Sequence, residues 1–208
     1  QLTVRIAAHV STRLADRAAS VPPIVHIIGR QFQAQPGNYL VFLSSFDYLQ
    51  AVAEAFDARH PEVPTWRQDR GMREAERQDF LQRFRSGGRG VGFAVLGGVF
   101  AEGVDLPGSR LIGAFVATLG LPQVNPVNEE FSRRLDTLFG RPCGYDYTYL
   151  FPGVRKVAQA SGRVIRTPQD RGVVVLIDDR YARERVRRLL PTWWGPPAPH
   201  HPGPGDAY

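Results

Sequence analysis

The sequence predicts an α/β fold with a mostly parallel sheet, and three observations carry that prediction. Short apolar runs rich in Val, Leu, Ile and Phe recur along the chain, amphipathic stretches separate them, and glycine-rich or polar turns mark the junctions. Strands buried on both faces need this alternation, because each crossover between parallel strands is made by a covering helix. The 208 residues, 43% hydrophobic and 22% charged, suffice for one sizeable core.

Tyr39 to Leu43 is the first clear strand. Ser45 is placed to cap the helix after it, whose Tyr48, Leu49, Val52 and Phe56 fall on one face. A short strand near Val63 to Trp66 precedes a charged helix from Met72 to Arg85, with Phe80, Leu81 and Phe84 as its apolar stripe. Val91 to Leu96 and Leu111 to Ala117 read as two further strands around a glycine-rich passage. Helices are expected over Val127 to Leu138 and Gly153 to Arg166, then a strand at Val173 to Ile177 and a last helix from Ala182 to Leu190. The expectation is about five strands. One domain covers residues 1–194, and the tail 195–208, GPPAPHHPGPGDAY, reads as disordered because Pro and Gly leave it too little apolar surface to bury.

Composition narrows the function classes. The only methionine is Met72 and the chain starts at Gln1, which reads as a fragment or a processed chain. The apolar runs fall far below the roughly 18 residues a membrane span needs, so a cytoplasmic protein is expected. Cys143 is alone, which excludes an internal disulfide and a four-thiolate cluster. The five histidines show no metal-ligand spacing, and no metal site is expected. Formal charge is +6, and of 26 basic residues only Lys156 is a lysine. Arginine forks suit phosphate oxygens, although the same bias follows from a GC-rich genome.

Three passages carry chemistry. In QASGRVIR, Gln159 to Arg166, a helix would align Gln159, Arg163 and Arg166 at i, i+4 and i+7, three planar donors able to surround a terminal phosphate. On spacing alone a solvated basic face fits equally well. In VLGGVFAEGVDLPG, Val95 to Gly108, glycines expose backbone N–H groups, and Asp105 has the reach to accept from a ribose hydroxyl or to orient an arginine. Its glycines do not fit G-x-G-x-x-G, and an ordinary turn is the simpler reading. In YLVFLSSFDYL, Ser44 and Ser45 lie between strand and helix, where hydroxyls and N–H groups bind phosphate or simply cap the helix.

In this order and spacing, SSFDYL, FAEGVDLPG and QASGRVIR followed by DRGVVVLIDDR resemble motifs IV, V and VI of the DinG/XPD-like group of superfamily 2 DNA helicases. STRLADR, PGNYLVFLSSFDYL, GLPQVNPVNEEF and GYDYTYLFPGVRKVAQ extend the resemblance, to bacterial members of the group, over residues 1 to about 194. Leu14 stands where an aromatic residue is expected and Ser161 where Ala or Val is commoner.

The resemblance implies a RecA-like second motor domain facing an N-terminal RecA-like domain, with single-stranded DNA crossing both. It implies that Arg163 and Arg166 are finger arginines and that Gln159 is a nucleotide-side partner. Gly103 and Asp105 would couple nucleotide to strand binding, and Ser44 and Ser45 would hold the DNA backbone. It also implies ATP-driven movement in the 5′ to 3′ direction.

No G-x-x-x-x-G-K-[ST] occurs, since Lys156 in GVRKVAQ has neither the spacing nor the following Ser/Thr. No D-E-x-H-like box occurs either, so ATP and Mg²⁺ are expected to be bound mainly by an N-terminal half, and this chain alone is expected not to hydrolyse ATP. A non-catalytic nucleic-acid or protein-binding module on the same fold is the alternative. Tyr145, Tyr147, Tyr149 and Phe151 would then supply stacking, although alternating aromatics are more often the core side of an extended segment. A self-contained transferase lacks any complete catalytic set.

Overall fold

The computed structural model describes residues 2–102, 106–164 and 171–200, with Glu102 by its backbone alone. Seven parallel strands form one sheet in the order β3-β4-β2-β5-β6-β1-β7. The chain runs β1 (Leu2–Ala7), α1 (Arg17–Ala34), β2 (Asn38–Leu43), α2 (Phe46–Arg59), β3 (Thr65–Arg67), α3 (Glu74–Gln82), β4 (Gly90–Val95) and α4 (Val99–Glu102). Then come β5 (Gly113–Ala117), α5 (Pro126–Phe139), α6 (Cys143–Tyr145), a π turn at Asp146–Leu150, α7 (Phe151–Ser161), β6 (Gly172–Ile177), α8 (Glu184–Arg187) and β7 (Ala198–Pro199).

The central strand β2 is buried along its whole length, as its unbroken apolar run requires. Its side chains divide between two cores. Tyr39, Val41 and Leu43 meet Ile24 and Ile28 of α1 and Val52 and Phe56 of α2 on one face. Leu40 and Phe42 join the opposite core, with Phe80 of α3 and Val154, Val157 and Ala160 of α7. This is the α/β sandwich that the sequence predicts, with helices on both faces.

Besides the short helices α4 and α6, three elements were not expected. The first, β1, is the opening segment; it docks between β6 and β7, far along the sheet from β2. α1 carries Pro22 and Pro23 inside its helix, and prolines read as helix breakers. Burial of Ile24, Val25, Ile27 and Ile28 just beyond them holds the helix despite the lost N–H donors.

The third is β7, where the tail was expected to be disordered from Gly195. Gly195, at φ +68, turns the chain, Ala198 and Pro199 align with Arg5 and Ile6, and the His200 amide donates to the Ile6 carbonyl at 2.9 Å. Proline is tolerated there because β7 is an edge strand. Trp194, 5% exposed, anchors this return in the core, while Trp193 stays exposed. Residues 201–208 lie outside the described residues.

Boundaries also move. The helix expected over Met72 to Arg85 spans Glu74–Gln82, and the one expected over Ala182 to Leu190 shrinks to Glu184–Arg187 with a 3₁₀ turn before it. Tyr145 to Phe151 is helical rather than extended, so Tyr149 is buried while Tyr147 is exposed. The Tyr149 hydroxyl donates to Glu129 of α5 at 2.6 Å, and that carboxylate pushes its pKa up to about 12.

Candidate functional site

In an all-parallel sheet the loops after the strands gather along one rim, which is where ligands of open α/β folds bind. Ser44 and Ser45 follow β2 there. Ser45, in an extended conformation, accepts from the Tyr48 amide at 3.3 Å and caps α2, as the simpler sequence reading had it. Both hydroxyls also accept from Arg17 at the start of α1, Ser44 at 2.9 Å and Ser45 at 3.5 Å. The Arg17 guanidinium lies over the Tyr48 ring, 5.3 Å from its centroid. Arg17 stands in STRLADR, and nothing in its local spacing singled it out.

Beside them, the loops after β1 and β6 are joined by charge. Asp178 is fully buried; it accepts from the Arg180 amide, Nε and Nη2 at 2.9, 2.6 and 2.8 Å, and from the Thr12 amide at 3.1 Å and hydroxyl. Burial pushes this carboxyl up, but the bonds from Arg180 and Thr12 outweigh it and hold the pKa below the usual carboxylate value. Arg13 grips Asp179 with both terminal nitrogens, at 2.6 and 2.9 Å. These pairs fix the rim and neutralise two arginines.

A second feature runs along the outer face of α7. An open groove of about 670 Å³ is lined by Tyr147, Phe151, Pro152, Arg155, Lys156, Gln159 and Arg163. Four-residue spacing brings Tyr147, Phe151, Arg155 and Gln159 onto one stripe. The expected helix through Arg166 does not continue. It ends at Ser161, Gly162 closes it, and the chain turns so that Val164 is buried at 2% exposure. Arg163 thus leaves the helical series but still lines the groove beside Gln159.

Its Nε donates to the Ala101 carbonyl of α4 at 3.3 Å, linking the groove to the glycine-rich passage. The Lys156 side chain packs over Gly97, where φ is +80° and a Cβ would stand 3.4 Å from the lysine's Cδ. Arg155 and Lys156 are cations of this groove that sequence reasoning missed; their four- and three-residue spacings to Gln159 were the available signal. Gly103, Asp105 and Arg166 lie outside the described residues. Among the described residues no cluster of His, Cys, Asp or Glu could hold a metal ion, and no helix is long and apolar enough to cross a membrane.

A family model for the helicase C-terminal domain matches residues 28–197. The chain belongs to the helicase C-terminal domain family. Its relatives include the ATP-dependent DNA helicase chl-1 of Caenorhabditis elegans, 30% identical over 202 residues that cover 88% of this chain and 22% of that protein. The XPD helicase subunit of general transcription and DNA repair factor IIH from Arabidopsis thaliana is 28% identical over 207 residues, 88% of this chain and 26% of the relative. This helicase C-terminal domain therefore spans about a quarter of the relatives it matches.

Among solved structures, an XPD helicase superposes with a TM-score of 0.76 at 18% identity, over 96% of this chain and 35% of that one. Domain 2 of the DEAD-box helicase Mss116p, bound to an RNA duplex, superposes at 0.58 and 12% identity, over 99% of this chain and 66% of that one. At these identities the likeness is one of fold, and it is the RecA-like fold shared by helicase domains.

Proposed function

We propose that this helicase C-terminal domain is the second motor domain of an ATP-dependent DNA helicase, presenting arginines to a nucleotide held by an N-terminal RecA-like half. The α7 groove carries the reading: it gathers Gln159, Arg163, Arg155 and Lys156 at an open surface of a chain that has no phosphate-cradling loop. Such cations complete a nucleotide site from outside, stabilising charge that grows on the transferring phosphoryl group. Arg163 and Arg166 act as the fingers and Gln159 contacts the nucleotide. Gly103 and Asp105 relay the nucleotide state to the strand-binding rim, and Ser44 and Ser45 contact the backbone of single-stranded DNA.

Magnesium and the attacking water belong to the N-terminal half. ATP binding closes the two halves and hydrolysis reopens them, moving the strand 5′ to 3′. The exposed apolar side chains of α5, Val127, Phe131 and Leu138, favour a large covering partner over a free-standing domain. The reading carries a cytoplasmic setting with it.

The test is DNA-stimulated ATPase activity of this domain, of the N-terminal half, and of the two combined. Turnover only in the combined sample is expected. Turnover by this domain alone would overturn the reading. Nucleotide-independent DNA binding that falls steeply with salt, with no turnover in the combined sample, would favour the binding-module alternative.

A further inference from the structure

Three arginines of the rim are internally paired. Arg13 is paired with Asp179, Arg180 with Asp178, and Arg70, after β3, with Asp47 at 2.7 Å. Arg17 sits among them, and among the described residues no carboxylate comes within ion-pair distance of it. The groups it touches are neutral: the hydroxyls of Ser44 and Ser45 and the face of Tyr48.

Those neighbours orient the guanidinium without cancelling its charge. A guanidinium has five N–H donors. Nη2 gives one to Ser44 and Nη1 one to Ser45, while Nε is shut away from solvent without an acceptor. A second N–H on each terminal nitrogen is left for an outside acceptor. A fork held this way has lost most of its rotamer freedom before any ligand arrives, which is how an arginine is prepared for a phosphate. An ordered cation at a rim where Arg13, Arg70 and Arg180 are already paired is open to an anion from outside.

Resting on the reading above, we propose that Arg17 is the phosphate anchor of the rim, donating to a phosphodiester of the bound DNA strand, with Ser44 and Ser45 serving mainly to aim it. This reverses the expected order of importance. The serines act on the strand chiefly through the arginine, and the charge that senses the backbone comes from the first residue of α1, not from the β2–α2 junction.

The experiment uses the complete helicase and an oligo(dT) strand, with affinity measured across a series of salt concentrations. Arg17→Gln is expected to weaken binding about tenfold and to lower the salt slope by about one, as loss of a phosphate contact does. Arg17→Lys should restore the slope, because the charge returns. If wild type binds and Arg17→Gln binds with equal affinity and slope, this inference alone falls. If the glutamine and lysine variants are equally weak with the wild-type slope, Arg17 is only structural and the inference also falls. If wild type does not bind the strand at all, the proposed function falls with it.

A second measurement needs no variant. Labelling of folded wild type with an arginine-specific dicarbonyl, read by mass spectrometry, should modify Arg17 in the free protein and be blocked by oligo(dT) but not by ATP. Equal labelling with and without the strand, or protection by ATP alone, would overturn the proposal.

Discussion

Arg163 Nε donates to the carbonyl oxygen of Ala101 at 3.3 Å, tying the turn after α7 to α4 across 62 residues of sequence. The bond steadies the guanidinium by holding its Nε on a backbone oxygen. It also places the two passages expected to respond to nucleotide within one hydrogen bond of each other.

Arg163→Ala in the complete helicase is therefore expected to lower ATP turnover by on the order of 10³-fold or more, with the far-ultraviolet circular dichroism of wild type retained. Arg163→Lys should recover little, because a point charge does not replace a planar fork. Steady-state ATPase assays at saturating DNA decide it, and near-normal turnover in either variant would contradict the finger role.

Asp178→Ala removes the acceptor of five donors and leaves Arg180, with a side chain only 15% exposed, without its anion. The expected cost is about 3 kcal/mol, read as a shift of the urea midpoint. The pH dependence has a definite sign. Because the folded pKa of Asp178 is lowered, its stabilisation is fully present above the unfolded carboxylate value and is lost as pH falls through the folded one. Wild type should lose part of its advantage over Asp178→Asn in acid, below about pH 4, and the two midpoints should stay parallel near neutrality.

Ser45→Ala should destabilise the domain by about 1 kcal/mol, since it removes the side-chain acceptor for the Tyr48 amide at the start of α2. Ser44→Ala leaves that cap intact and should shift the thermal midpoint much less. Equal shifts would mean that capping is not what Ser45 supplies.

Gly153→Ala tests how closely α7 approaches the loop after β5. An added Cβ would stand 2.7 Å from the Leu119 carbonyl oxygen and 3.2 Å from the Gly120 carbonyl carbon, both backbone atoms that cannot swing aside. We expect a loss of about 2 kcal/mol, within the usual range for overpacking, measured by chemical denaturation. An unchanged midpoint would show that α7 can move outward freely.

The parts of this protein legible in its sequence are those set by local pattern. The continuous apolar runs of β2, β4, β5 and β6 announce strands buried on both faces, and the Ser45 cap and the stripe of Tyr48, Leu49, Val52 and Phe56 announce α2. QASGRVIR pointed to Gln159 and Arg163, and both line the α7 groove. The helical register fails at Arg163, since α7 stops at Ser161 and Val164 is drawn into the core, and no periodicity within eight residues reports a tertiary demand of that kind.

Sequence alone thus determined the α/β class, the main strands and the arginine-bearing passage, because hydrophobic period and turn chemistry act over a few residues. Tertiary structure alone decided that β1 and residues 198–199 join the sheet, that two prolines survive inside α1, that Arg155 and Lys156 share the groove, and that Arg17 reaches Ser44 while its neighbours Arg13 and Arg180 are neutralised. Each of these depends on a partner far away in the chain. An edge strand needs a neighbour with free backbone groups, and a charge is spare only once every other charge around it has been paired.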